Sequence, residues 1–428
     1  MGVWTLGQEG PEIARQHVGV RRDLDVLLPG WRPADVVGSP FAIARYAVDP
    51  SLGGDAALAE LRARLASRSI GLLLDFVPNH TARDHHWIAE LPALYVRDAD
   101  GAIACGKDPY FPPWTDTAQL DYRLAITRAH VTETLLAIAT RADGVRCDMS
   151  MLLLSEIFGR TWQHCPPAPG EPLAAGEFWA DAIAAVRARS PGFTFLAEAY
   201  WNLELRLQRL GFDFTYDKTL YDRLLHGTAA EVRMHLEADL ELQARSTRFL
   251  ENHDEPRLAQ LLAAEHGAAA LVIGMTLPGM RFVHEGQIEG RQVKTSVHLG
   301  RRVVEPPSPT AIALHERVLE LLRLPALRRG HFRRLALREV WPGNRQWDQL
   351  VAHRWEHPDG SVVVIVNYAP KRAQARVVID LHGIDGRPVV LRDLMTGTEY
   401  PRDGSELVDP ARGLFVDLAP WQAHVFVV

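Results

Sequence analysis

Cysteine is scarce. The chain has three, Cys105, Cys147 and Cys165, in 428 residues. So few, so far apart, exclude a disulfide framework and a thiolate zinc site. Long apolar runs are missing as well: nothing reaches the roughly 18 consecutive apolar residues of a membrane-spanning helix. There is no excess of positive charge, since 47 Lys and Arg stand against 53 Asp and Glu, a formal net charge of −6. That balance argues against a general nucleic-acid binder. The opening segment MGVWTLGQEGPEIARQH lacks a basic lead followed by an apolar stretch, so no secretory signal is expected. A soluble, cytoplasmic protein without nucleic-acid or membrane partners is the expectation. Hydrophobic residues make up 47% and charged residues 23%. That is ordinary globular usage with ample material for a core.

From about residue 55 to 325, short apolar runs alternate with amphipathic stretches. IGLLLDFV (Ile70 to Val77), FTFLAE (Phe193 to Glu198) and RFLEN (Arg248 to Asn252) read as buried strands. DAALAELRARLASR, RLAITRAHVTETLLAIATR and EFWADAIAAVRARS read as helices between them. Apolar strands alternating with helices imply a parallel sheet covered on both faces. Strands are expected near residues 70–77, 143–148, 193–198, 212–216, 248–252 and 281–284. This suits a (β/α)8 TIM barrel or a doubly wound sheet. Residues 81–122 read as a loop insertion at a strand's C-terminal end, where function concentrates. After about residue 330, LVAHRW, SVVVIVNYA and ARVVIDL have strand character and are separated by turn signals such as HPDG and GIDG. The expected organisation is 1–329 as the barrel and 330–428 as a C-terminal antiparallel β-sandwich domain.

Four strands end in polar residues that a pure core would not hold. In a parallel barrel the C-terminal strand ends form the catalytic face. Asp75 lies in the first such strand, which runs into Pro78, Asn79 and His80. The second reads DGVRCD, and strand alternation puts Arg146 and Asp148 on one side and Val145 and Cys147 on the other. An arginine beside Asp148 would keep it ionised. Glu198 ends the third strand among Leu196, Ala197, Ala199 and Trp201, surroundings that would raise its pKa. One ionised and one protonated carboxyl, roughly 5–5.5 Å apart, is the arrangement of retaining glycoside hydrolysis. A third acid, Asp254, follows Asn252 and His253 at the fourth strand's end and suits gripping sugar hydroxyls.

These four segments resemble, in order, the four short sequence regions of the α-amylase family of glycoside hydrolases and transglycosylases. They are DFVPNH (Asp75 to His80), GVRCDMSM (Gly144 to Met151), FLAEAYW (Phe195 to Trp201) and FLENHDE (Phe249 to Glu255). The resemblance implies Asp148 as nucleophile, Glu198 as general acid then base, and Asp254 as the acid that binds ring hydroxyls. It implies Arg146 as the residue orienting the nucleophile, His80 and His253 as sugar-binding histidines, and Asp75 and Asn79 as supports. GSPFAIARYAVDPSLGG (Gly38 to Gly54) resembles the family's segment before the first region, with Phe41 where a tyrosine usually stacks on the sugar. Trp201 is read as a further sugar contact. HEGQIEG (His284 to Gly290) resembles the loop after the last barrel strand.

Two departures stand out. Met151 and Leu152 occupy the places where many α-amylases have a lysine–histidine pair that contacts sugar beyond the cut. That histidine also helps hold calcium in such enzymes, so calcium is not favoured and no cofactor is expected. MGVW (Met1 to Trp4) resembles the end of the family's second barrel strand. The first strand and its helix are then expected to be missing, an N-terminally incomplete barrel with unpaired edges. The adjacent His85 and His86 are expected to point apart in a polar loop rather than bind a metal. The expected activity is that of a retaining α-glycosidase on short α-linked glucosides, by double displacement. The alternatives are a glycosyltransferring or isomerising relative, and a non-catalytic carbohydrate-binding one. The sequence leaves the oligomeric state open.

Overall fold

Interior strands of an α/β fold are short and apolar on both faces, and the parallel strands of this chain follow that rule. The structure, a computed structural model, describes all residues except Met1, Asp380 and His382. Two compact units divide the chain: Met1–Tyr216 with Thr295–Val304, and Asp217–Lys294 with Glu305–Val428.

The first unit opens with β1 (Trp4–Leu6), which pairs antiparallel with β2 (Ile43–Val48). Next come β3 (Leu73–Phe76), the hairpin of β4 (His80–Ala82) and β5 (Thr117–Gln119), then β6 (Gly144–Cys147), β7 (Thr194–Ala197) and β8 (Phe214–Tyr216). Strands β3, β6, β7 and β8 lie side by side in that order, all parallel. Helices Gly54–Ala66, Ala125–Ala139, Phe178–Arg189 and Glu204–Arg209 precede them in turn. They form on apolar faces: Val131, Leu135 and Ile138 of one and Trp179, Ile183 and Val186 of another are buried against Val145, Cys147, Phe195 and Ala197. The β4–β5 hairpin closes the base of the 81–122 insertion.

In the second unit, β9 (Ser246–Arg248) and β10 (Met280–Arg281) are parallel, with the apolar helix Ala264–Thr276 between them in sequence. Strands β11 (His331–Arg334), β12 (Ala336–Arg338), β13 (Leu350–His357), β14 (Gly360–Asn367) and β15 (Ala373–Val378) follow. The last four are β16 (Pro388–Asp393), β17 (Glu399–Asp403), β18 (Leu414–Leu418) and β19 (Ala423–Val427). Two antiparallel sheets result, β11-β13-β14-β19-β16-β17 and β12-β15-β18. Ile365, Ala375, Val377, Leu391, Val416 and Phe426 from both sheets share one core, which makes this a β-sandwich. The fold class is α/β, with the strand–helix alternation of a TIM barrel and an antiparallel β domain toward the C-terminus.

Beyond β1, whose hydrogen-bonded partner is the antiparallel β2 and whose preceding Met1 lies outside the described residues, two strand limits are corrected. The Trp4 indole nonetheless reaches β3, donating to the Asp75 carbonyl at 2.7 Å. The strand read over 70–77 is shorter because Ile70 is 49% exposed and follows Ser69, which has φ +58° in the turn after the helix that ends at Ala66. The strand read over 248–252 ends at Arg248 instead, and the motif beyond it is turn.

Gly144 marks a close approach. A Cβ there would stand 2.5 Å from the Thr194 carbonyl oxygen and 2.9 Å from its Cβ. Gly144→Ala is expected to force β6 and β7 apart and cost about 1–3 kcal/mol. A lowered urea midpoint at unchanged m-value checks this.

Candidate active site

The end of β6 turns on one side chain. Arg146 is 7% exposed, and its guanidinium faces three carboxylates. Nη1 meets Asp75 at 3.1 Å and Asp148 at 2.9 Å, while Nη2 meets Glu198 at 2.9 Å. The Phe41 and Tyr216 rings lie 5.5 and 5.8 Å from the guanidinium carbon. Strands β3, β6 and β7 are neighbours, which is why residues so distant in sequence converge. The backbone fixes the carboxylates further. Asp148 N–H donates to the Phe76 carbonyl at 2.9 Å, and Glu198 N–H to the Cys147 carbonyl at 3.0 Å. Glu198 Oε2 also accepts from Met149 N–H at 2.7 Å, and Oε1 from the Tyr200 hydroxyl at 2.9 Å. Met149 delivers its N–H from a left-handed conformation, φ +42°, uncommon for a residue with a side chain.

One cation among three buried carboxylates cannot balance three charges. Burial pushes the Asp148 carboxyl well above its ordinary range; Arg146 opposes this, and the Glu198 and Asp75 charges reinforce it. The expectation that an arginine beside Asp148 would keep it ionised left out the burial and the neighbouring carboxylates that oppose Arg146. Despite its apolar sequence neighbours, the Glu198 carboxyl group meets two hydrogen-bond donors and the Arg146 guanidinium.

His80, Asn79 and Trp201 belong to the same unit as this centre. His80 is buried and lies 5.2 Å from the Trp114 ring, and burial takes its pKa down to about 4, so it is neutral. Asn79 exchanges amide hydrogen bonds with Gln119 at 3.1 and 3.2 Å. Trp201 and Asn202 follow the Glu198 segment with φ of +65° and +58°. Trp201 meets Tyr110 of the 81–122 insertion edge-on at 5.0 Å. His253 and Asp254 belong to the second unit. There the Asn252 side chain accepts from the N–H groups of Asp254 and Glu255, both at 2.9 Å, and so shapes the turn. His253 Nε2 lies 3.0 Å from Asp254, and Lys294 Nζ donates to the Asp254 carbonyl. Glu251, fully buried, ties this turn to Arg257 at 2.6 Å and His284 at 3.2 Å.

No family model matches the chain. Over 191 residues it is 30% identical to alpha-1,4-glucan:maltose-1-phosphate maltosyltransferase of Burkholderia pseudomallei; the match covers 42% of this chain and 15% of that protein. The chain thus spans a small part of that curated relative's length. A maltogenic alpha-amylase of Thermotoga neapolitana superposes with a TM-score of 0.70 at 18% identity, covering 91% of this chain and 85% of the other. An alpha-amylase of Lactobacillus plantarum gives 0.70 at 20% identity, covering 100% and 89%.

The fold is that of the α-amylase family. Within this α-amylase fold, Met151 and Leu152 are buried in the apolar core, so the lysine–histidine departure removes polar groups without leaving solvent-facing substitutes. Calcium would take roughly six to eight oxygen ligands. The Asn79 amide oxygen is engaged by Gln119, and both oxygens of Asp121 are held by Arg123 at 2.8 and 2.7 Å. No group of three or more His, Cys, Asp or Glu among the described residues is disposed around a metal. These residues do not fit the ion. His85 and His86 do not point apart: their rings stack at 4.4 Å, because His86 has helical backbone rather than alternating strand geometry. Among the described residues no helix is long and apolar enough to cross a membrane.

Sequence reasoning passed over Tyr200, Tyr216 and the Met149 N–H. Tyr200 shares the parity of Glu198 two residues earlier, which was a legible signal. Tyr216 ends β8, and burial lifts its pKa to about 12. Nothing in the sequence marked a backbone N–H.

A carboxyl with a raised folded-state pKa favours the fold below its unfolded value of 3.8, and that stabilisation is lost as pH rises through the folded pKa. Asp148→Asn removes this penalty. The variant is expected to melt above the parent at neutral pH, with the gap closing as pH falls toward the ordinary carboxylate value. Calorimetric melting at a series of pH values checks the sign.

Proposed function

We propose that the chain is a retaining α-glycosidase acting on α-linked glucosides or oligosaccharides by double displacement. The observation that carries the proposal is the single guanidinium of Arg146 joining Asp148 and Glu198, which brings two carboxyl groups to one place. In this reading Asp148 is the nucleophile. Arg146 occupies its Oδ1, so Oδ2 attacks the anomeric carbon and forms a covalent glycosyl ester. Glu198 gives its proton to the departing oxygen and then takes one from the incoming water. Its Oε2 faces two donors and Oε1 only a hydroxyl, so Oε1 is the exchanging oxygen. The role of Asp254 as the acid gripping ring hydroxyls rests on its motif, as do the sugar-contact roles of His80 and His253. Phe41 serves by packing on Arg146 as much as by facing sugar. Trp201 is a sugar contact, and Asp75 and Asn79 are supports. The working segment is 1–329, with 330–428 an appended β domain, and a cytoplasmic setting accords with the three free cysteines.

The second reading is glycosyl transfer, in which a sugar replaces water at the second step. Two observations favour weighing it: the curated relative's name is that of a maltosyltransferase, and apolar Met151 and Leu152 replace leaving-group contacts. Maltooligosaccharides, glycogen, sucrose, trehalose and maltose 1-phosphate, each with and without an added glucan acceptor, separate the readings by product size. Products of the α-configuration are expected, and an inverted anomer overturns double displacement. Asp148→Asn and Glu198→Gln are each expected to lower turnover by about a thousandfold or more. Turnover surviving in Asp148→Asn removes the nucleophile assignment.

A further inference from the structure

The 81–122 insertion carries a segment that burial economy does not explain. Between Gly106 and Trp114 the sequence reads GKDPYFPPW. Tyr110 is 63% exposed and Phe111 is 68% exposed, two adjacent aromatic side chains turned to solvent. Large apolar groups held outward in a fixed conformation usually meet a partner. This loop is fixed. Gly106 and Trp114 bridge at its neck, with Trp114 N–H donating to the Gly106 carbonyl at 2.7 Å. The buried Asp108 carboxylate accepts from the N–H groups of Tyr110 and Phe111 at 2.6 and 2.9 Å. Three prolines, 109, 112 and 113, restrict the backbone further.

Both anchors of the loop are residues of the candidate site. At the neck, Trp114 packs on His80 at 5.2 Å. At the tip, Tyr110 packs on Trp201 at 5.0 Å, one residue beyond the tyrosine whose hydroxyl reaches Glu198. Lys107, Asp108, Phe111, Arg160 and Thr161 of the loop and its neighbouring helix line an open cavity of about 470 Å³. Aromatic faces beside charged and hydroxyl groups match the two surfaces of a pyranose, apolar C–H faces and a polar rim.

We infer that Tyr110, Phe111 and Trp201 form an aromatic platform for glucosyl residues of an α-linked oligosaccharide, extending from the Glu198 end of the site along the 106–114 loop. The inference deepens the proposed function and rests on it for the identity of the ligand. It makes the loop a determinant of chain-length preference, with Lys107, Arg160 and Thr161 meeting hydroxyls of the outer sugars.

The test is calorimetric titration of maltoheptaose into the full-length Asp148→Asn protein, in which turnover is stopped. Adding Tyr110→Ala and Phe111→Ala is expected to weaken binding about tenfold or more. Tyr110→Phe, which keeps the ring, is expected to retain it. Equal melting temperatures exclude a folding defect, as both side chains are exposed. Equal affinities with and without the two rings, or no binding of maltoheptaose at all, overturn the platform. Turnover of the parent, followed separately, tells the two ideas apart. Turnover with an unaffected affinity sinks the platform alone, while ring-dependent binding without turnover sinks the glycosidase alone.

Discussion

The candidate site depends on one interaction, the insertion of a single buried guanidinium among three carboxylates. Arg146 cannot leave its place without stranding Asp75, Asp148 and Glu198 in an interior where unpaired charge is costly. The constraint runs outward from there. It requires β3, β6 and β7 to be parallel neighbours, since only then do three strands present their ends together. It requires a rigid β6, which accounts for Gly144 pressed against the Thr194 carbonyl. It also requires aromatic walls, Phe41 and Tyr216, that exclude water from the guanidinium while offering it their faces.

That arrangement is not optimised for stability. A pairing of one arginine with one carboxylate would neutralise the interior, whereas this cluster sets three carboxyl groups against one guanidinium. The left-handed backbone of Met149, Trp201 and Asn202 points the same way, because each residue of this kind costs about 1–3 kcal/mol unless its surroundings enforce it. Met149 follows Asp148 directly, and Trp201 follows Glu198 by three. Strain thus concentrates beside the two carboxyl groups assigned to the chemistry, where sites trade stability for function.

Much of this was legible in the sequence, and the reasons differ by level. The strand–helix alternation was readable because parallel strands must be apolar on both faces, as Val145, Cys147 and Phe195 are. Arg146 and Asp148 could be set on one side of β6 by parity alone. Strand limits were less readable: Ile70 is apolar and looked like strand, but the left-handed turn at Ser69 leaves it outside. The electrostatic surroundings of Asp148 were read incompletely because its sequence shows one arginine nearby and does not show Asp75 and Glu198 arriving from neighbouring strands. The stacking of His85 on His86 was missed through applying strand alternation to a residue with helical backbone.

The departures from the family's motifs and the exposed aromatic loop bear on one question. Met151 and Leu152, which stand where the resembled motif has a polar pair, sink into the core. In the proposed reading, a substrate longer than one sugar needs another surface in the same unit. The 106–114 loop supplies aromatic area and polar groups, braced against His80 at one end and Trp201 at the other. Affinity follows preorganisation more than area. A loop stiffened by prolines and capped by Asp108 therefore suits a hydrated, hydroxyl-rich ligand better than a mobile one would. In the proposed reading the motifs carry the bond chemistry, and the insertion is where a choice among substrates of the same linkage would be made.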